Sequence, residues 1–525
     1  MSVGLLTSVA LAAGAAQAAG GHAVAAKPFI LTEHLPILIV VIPLLAAALT
    51  AMLRNGRVAW AISLAVSWIL PILAVMLILQ VEEKGIISYA LGGWAPPVGI
   101  EYRVDIVNAF VLLIVSVVGA IAMPYALRTV ELDIDEPQRA WFYAIYLLAL
   151  TGLLGMTITG DAFNIFVFME VSSLAMYVMI AMGRDRRALI AAYQYLIMGT
   201  IGATFYVIGV GFLYVVTGSL NMADIALRIG PAFAESSPPV MAALAFIVVG
   251  ISLKLALFPL HVWLPNAYAF APKFATVFLA ATATKVAVYI LLRFYFSIFG
   301  SAISLTDLPI TEMLLILSIA AMFIASVMAI YEDNIERMLA FSSVAQIGYI
   351  TLGIALANKS GVAGSVVHLM NHAAMKAALF AAIGAILYRV GTARMSELGG
   401  IGRTMPLTMA AFVIGGLSII GVPGTAGFIS KWYLGVGAIE HGWWVVAFLI
   451  VASSLISIIY IGRFVEVAYF QPVSEASEKG SDPPFSMMLS IVVFTALTIY
   501  LGLDTAWSGQ LAEKVAAVLV GGLAQ

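Results

Sequence analysis

The chain has 525 residues, 63% of them hydrophobic and only 10% charged, with a mean hydropathy of +1.08. Soluble domains carry about 25% charged residues, so the composition is that of an integral membrane protein. A net charge of −2 offers no basic face for nucleic acid, and zero cysteines exclude disulfides, thiol chemistry and cysteine-ligated iron–sulfur clusters within it.

The first 26 residues, MSVGLLTSVALAAGAAQAAGGHAVAA, have a short apolar core and an A-Q-A site but no basic n-region. Residues 1–34 are therefore set apart, either as a secretory signal or as an additional N-terminal segment. Either reading starts the next helix outside the cytoplasm. Apolar runs of spanning length then recur almost without pause. They cover 35–53, 58–79, 106–127, 141–158, 162–182, 189–216 and 240–260 in the first half. The second half adds 274–296, 313–330, 338–357, 366–388, 407–439, 443–462 and 485–503. The expected fold is an all-α membrane protein with about 14 transmembrane helices over residues 35–503, followed by a C-terminal tail, 504–525. If the first helix enters from outside, cytoplasmic loops hold about twice as many Lys and Arg as outer ones, which places both termini outside.

Four lysines fall inside runs, Lys254, Lys285, Lys376 and Lys431, and of the 27 acids only Glu170 sits well within one. A lone ammonium at bilayer depth costs about 2.5–3.5 kcal/mol on insertion scales, so it is normally retained for function. Lys254 precedes Pro259, which lacks a backbone donor and clashes with the carbonyl of Leu255, so the helix breaks or kinks there. A broken helix at membrane depth is tolerated only where its freed backbone is buried in protein or lines water. The twelfth run is too long for one straight helix and carries GVPGTAG, 421–427, at its middle, with Lys431 just beyond. Broken seventh and twelfth helices at corresponding places in two halves suggest a transporter repeat with a midplane ion site.

Each candidate also has a plainer reading. Glu170, in FNIFVFMEVSSLAMY, is either a neutral acid bonded to Ser172 or Ser173, or the partner of Lys254 in a proton gate. The cost of unpaired buried charge favours the pair. Lys285 is too deep to snorkel, whereas Lys254 can reach a cavity near Pro259. His368, His372 and Lys376 recur at i, i+4 and i+8 and share one helix face. They suit a proton wire, since histidine passes protons through its two nitrogens. The plainer reading is core histidines bonded to carbonyls. Two histidines four apart also suit a metal, which keeps an intramembrane metalloenzyme as an alternative, although the glutamate of HExxH is missing. Lys431, beside Trp432 and Tyr433, is an interface anchor or the terminal relay group. His261 and His441 read as loop residues, and the acidic loop 131–138 as a solvated edge or a docking edge for a neighbour.

With KLALFPLHVWLPNAY, TKVAVYILLRF, AFSSVAQIGYITLG, HLMNHAAMKAALF and GVPGTAGFISKWYL in this order, the chain resembles the antiporter-like proton-channel family. That family includes the large subunits of Mrp-type cation/proton antiporters, three membrane-arm subunits of complex I, and subunits of membrane-bound hydrogenases. The resemblance covers residues 35–503 and is strongest to the D subunits of Mrp antiporters. It implies inverted repeats at helices four to eight and nine to thirteen. The family's helix-five glutamate falls on Glu170, its helix-seven lysine on Lys254 and its helix-eight lysine on Lys285. Its helix-eleven histidines and lysine fall on His368, His372 and Lys376, and its helix-twelve charge on Lys431. One complex I subunit has glutamate at that last place, so Lys431 argues against that branch. The implied function is proton translocation within a multi-subunit sodium/proton antiporter of the bacterial inner membrane. The chain would be a transporter subunit with no cofactor or metal of its own, working with the other subunits of its complex. The alternative is the same module in a complex I-like NADH–quinone oxidoreductase or a membrane-bound hydrogenase.

Overall fold

A computed structural model describes residues 31–300 and 309–521. The signal-like residues 1–26 lie outside the described residues. By its contacts the chain divides into Met1–Leu35 and Pro36–Gln525. Of the first unit the described residues are 31–35, with a 3-10 turn over Leu31–Glu33.

Helices α1 (Leu35–Ala51) and α2 (Gly56–Lys84) lead into an antiparallel hairpin of β1 (Ile87–Ala90) and β2 (Glu101–Val104), in which Ile87 pairs with Val104. Helices α3 (Ile106–Asp133), α4 (Arg139–Ile158), α5 (Ala162–Ala181) and α6 (Arg186–Thr217) follow, then the amphipathic α7 (Met222–Glu235). The seventh apolar run becomes α8 (Ser237–Leu255) and a non-helical connector to α9 (Trp263–Phe270). Next come α10 (Lys273–Leu292), α11 (Pro309–Ala320), α12 (Ile335–Leu356) and α13 (Lys359–Val390). The twelfth run resolves into α14 (Pro406–Ile420) and α15 (Ala426–Glu440), followed by α16 (Trp444–Phe470), α17 (Phe485–Leu503) and α18 (Ala506–Gly521). Among the described residues 12 helical segments are long and apolar enough to cross a membrane, and α1 and α14 are shorter apolar helices. The chain is a multi-pass, all-α membrane protein, with one small hairpin among the described residues. Residues 506–521 of the tail form α18, which buries Leu511, Ala512, Val515, Ala516 and Leu519 against α13 and α3. At 16 residues, with Glu513 and Lys514 inside, α18 is too short and polar to register as a spanning run.

Both expected breaks are present. Helix α8 ends at Ala256, which turns to φ +59°, three residues ahead of Pro259. The proline ring excludes helical geometry in the residues before it, so the break precedes the proline itself. Helix α14 ends at Gly421, φ +89°, a left-handed conformation that only glycine adopts at no steric cost. The freed carbonyls at the end of α8 find donors: Leu257 N reaches Ser252 O at 3.0 Å, and the Trp263 indole reaches Leu253 O at 3.0 Å. Helix α8 lies tightly on α6, where Gly202 and Gly250 face one another. A Cβ on Gly250 would stand 2.6 Å from the Gly202 carbonyl oxygen. Small residues at such crossings let backbones approach and packing replace the missing hydrophobic drive. Helices α10 and α12 are enclosed by the others on nearly every side, whereas α6 and α16 turn apolar side chains outward, as a lipid-facing helix must.

Candidate functional site

Lys254 occupies the last turn of α8, where the helix dipole favours a cation. Its Nζ donates to Ser173 Oγ at 2.7 Å and Tyr177 OH at 3.4 Å, both on α5. Gly199 of α6 leaves the room for this, since a Cβ there would fall 1.9 Å from the Tyr177 hydroxyl. Tyr177, Tyr195 and Trp263 form an aromatic wall beside the ammonium, Tyr195 lying flat on Trp263 at 4.0 Å. The expected direct Glu170–Lys254 pair is not formed. Glu170, one turn before Ser173, stays within electrostatic range of Lys254, but its Oε1 is buried and has no hydrogen-bond partner. Nor does it bond to Ser172, whose hydroxyl donates to the Met169 carbonyl at 3.0 Å. Ser173, between the two charges in sequence, takes the ammonium instead. A cavity of about 20 Å³ lined by Lys254, Ser172, Ser173 and Ala283 and Ala287 of α10 adjoins this point. That is room for about one water molecule.

The middle of the site lies on α10, α12 and α13. Lys285 donates to the Ala280 carbonyl and, at 3.4 Å, to Thr284 Oγ1. Lys376 donates to the Leu339 carbonyl at 2.7 Å and to Ser342 Oγ. The rings of His368 and His372 are nearly parallel, 6° apart in tilt, with centroids at 5.9 Å. Lys285 lies within electrostatic range of His368, His372 and Lys376, the three residues of the i, i+4, i+8 face. His368 Nδ1 is 2.7 Å from Ser430 Oγ. Ser430 Oγ is also 3.1 Å from the Gly427 carbonyl, so the hydroxyl joins the His368 ring to the backbone of α15. Both nitrogens of His372, both amide atoms of Gln346, Asn371 Oδ1 and His368 Nε2 are buried without a protein partner. Each such group costs about 1–3 kcal/mol unless it is solvated, so their concentration on α12 and α13 marks a polar lumen.

Lys431, on α15, reaches back across the break. Its Nζ donates to the carbonyls of Ile419 at 2.8 Å and Ile420 at 3.0 Å, the terminal acceptors of α14, and to Ser454 Oγ at 2.9 Å. It also lies 4.6 Å from the centre of the Tyr349 ring. His368 is within its electrostatic range. Lys254 therefore sits on the helix before its break and Lys431 on the helix after its own; what they share is an ammonium beside a helix C-terminus. Among the described residues no carboxylate forms an ion pair with Lys254, Lys285, Lys376 or Lys431. Their partners are hydroxyls and backbone carbonyls.

Several residues escaped the sequence reading. The hydroxyls Tyr177, Ser342 and Ser454, which hold lysines, and Ser430, which holds His368, blend into apolar runs, where Ser is common; Ser173 reads in the sequence only as a partner for Glu170. Gln346 and Asn371 carried a weak signal as amides at spanning depth. His261 does lie on the α8–α9 connector, but it is buried, stacked at 5.3 Å on Phe258 and edged by Phe341. Arg293 is buried against Asp105, the residue that caps α3 by accepting from Val107 N at 2.9 Å.

Residues 159–457 match the family described as NADH:quinone oxidoreductase/Mrp antiporter, TM. The N subunit of the NADH-quinone oxidoreductase of Desulforudis audaxviator is 41% identical over 488 residues, spanning 90% of this chain and 96% of that one. The D subunit of the Na(+)/H(+) antiporter of Bacillus subtilis is 29% identical over 486 residues, 92% of this chain and 97% of that one. Among solved structures, a chain of the Mrp complex from Dietzia sp. superposes with a TM-score of 0.84 at 25% identity, covering 95% of this chain and all of its own length. On the matched span, the shared fold and this identity, the chain belongs to the NADH:quinone oxidoreductase/Mrp antiporter transmembrane family.

Proposed function

We propose that this chain is a proton-translocating subunit of a multi-subunit monovalent cation (sodium)/proton antiporter. Protons would pass along Glu170, Lys254, Lys285, the His368–His372–Lys376 face and Lys431. One observation carries the reading: four buried ammonium groups are held only by neutral oxygens, with buried acceptors beside them that lack partners. A structural cation in a membrane interior is normally matched by a carboxylate. Here no carboxylate ties the charge to one place, so protonation can move along the row. The relative named as the D subunit of a Na(+)/H(+) antiporter and the Mrp complex chain support this use of the module. On the same reading the protein lies in a bacterial inner membrane with both termini outside, and inverted repeats relate its two broken helices.

A second reading has its own support in the 41% identity to the N subunit of an NADH-quinone oxidoreductase. The same row would then be driven by electron transfer in other subunits. The metalloenzyme alternative lacks such support: among the described residues no three His, Asp or Glu side chains gather where they could hold a metal ion. Everted vesicles carrying the whole complex separate the first two. Proton flux on adding sodium, with no electron donor, is expected for the antiporter. Flux that requires an electron donor and ignores sodium would replace it with the redox-driven pump.

A further inference from the structure

Asp133 ends α3, Lys273 begins α10 and Glu336 lies in the first turn of α12, and the three charges meet at one end of the bundle. Lys273 Nζ is 2.6 Å from Asp133 Oδ1, and its backbone amide donates to Oδ2 at 2.8 Å. Glu336 is 6% exposed and within electrostatic range of both partners. Its carboxyl makes no hydrogen bond or ion pair among the described residues. Tyr125 closes another side, its hydroxyl donating to the Ala381 carbonyl of α13 at 3.2 Å. Helix α13 passes the cluster at Gly384, where a Cβ would stand 2.2 Å from the Tyr125 oxygen and 3.4 Å from Lys273 Cβ. The neighbouring Arg337 is turned away, onto Glu332 and Asn266.

Two carboxylates against one ammonium leave this buried group neutral only when it also holds a proton. The proton has a destination. Glu336 precedes Leu339 by three residues and Ser342 by six, about 4.5 and 9 Å along a helix that rises 1.5 Å per residue. Those two residues hold the Lys376 ammonium.

We propose that Glu336, flanked by the Asp133–Lys273 pair, is the group that takes protons from the adjoining aqueous side and passes them to Lys376. In the transfer the Glu336 carboxyl loses its proton to neutral Lys376 Nζ through intervening water, leaving a carboxylate and an ammonium. The same end of the bundle carries Arg128, Arg139, Arg184 and Arg337, so by the positive-inside rule the side is cytoplasmic. The proposal rests on the relay reading above.

The test uses the complete complex in vesicles, with flux normalised to assembled complex. Glu336→Gln should lower proton flux about 100-fold, the scale of a lost acid–base group, and Glu336→Asp should restore part of it. Asp133→Asn should alter how flux depends on pH at this face while leaving the dependence on the other face unchanged. Wild-type flux in Glu336→Gln beside an inactive Lys376→Ala overturns the inference and leaves the relay intact. Normal flux in both overturns the relay itself. If Glu336→Gln fails to assemble, the other two variants decide: no rescue by Glu336→Asp, or an unchanged pH profile in Asp133→Asn, makes the cluster a structural tie.

Discussion

Lys431→Ala removes an ammonium that two backbone carbonyls, a hydroxyl and an aromatic ring surround, so its effect on stability can be set against its effect on transport. The Ile419 and Ile420 carbonyls, now 2.8 and 3.0 Å from Nζ, lose their donor at about 1–3 kcal/mol each. The contact with the Tyr349 ring at 4.6 Å contributes about 0.5–2 kcal/mol more. Ser454 keeps its own bond to the Ile450 carbonyl at 3.0 Å and loses only an incoming donor. Against these losses, the protein no longer holds a charge at depth, a relief of about 2.5–3.5 kcal/mol. Taking mid-range values, the net destabilisation is about 2 kcal/mol, too small to unfold a protein of this size. Proton flux should fall far more, about 100-fold or beyond, because a positioned acid–base group contributes about 10²–10⁴. The assay is sodium-driven proton flux in everted vesicles, normalised to the assembled complex, with thermal unfolding in detergent as the control. Lys431→Arg sharpens it. Arginine keeps the donors that clamp the end of α14 but does not release a proton. Wild-type flux in Lys431→Arg would refute the relay role and leave Lys431 as a clamp on a broken helix.

Three further predictions follow from the site. Glu170→Ala and Lys254→Ala should each abolish flux, with the double variant little worse than either, since coupled groups act as one unit. Ser173→Ala should also lower flux, whereas Ser172→Ala, whose hydroxyl faces the Met169 carbonyl, should not; equal effects would sink the idea that Ser173 links the two charges. Lys285→Arg should assemble and fail to transport, and normal flux would make Lys285 a fixed cation. Beyond the C-terminal end of α10, burial opposes ionisation of Asp105, but the Arg293 guanidinium and the amides of Asn108 and Val107 outweigh it and hold the carboxyl below its ordinary 3.8. A lowered folded-state value contributes stability above the ordinary value and loses it as pH falls through the folded one. The melting-temperature gap between wild type and Asp105→Asn should therefore be full at neutral pH and shrink in acid below 3.8; a gap independent of pH would refute this.

The sequence by itself determined the class, most of the helices and the identity of the buried charges. Spanning length and the cost of placing an ammonium in hydrocarbon depend on residue type and run length, and both can be read along one dimension. The two breaks were legible for the same reason, since proline and glycine act on their own backbone. What the charges touch was not legible. Lys254, on α8, meets Ser173 and Tyr177 of α5, 81 and 77 residues away, a pairing that only the packing of the helices decides. Lys431 turns back to α14, and His368 finds Ser430, 62 residues on, because the break leaves α15 lying across α13. Glu336 escaped notice because its run was started at Met338, while the helix begins at Ile335 and draws the carboxyl inside. Hydrogen bonds form between whichever groups packing brings within about 3 Å, and in a bundle of long helices those neighbours come from other turns of other helices. Residue type decided which charges the membrane would resist. The tertiary structure alone decided which oxygens hold them.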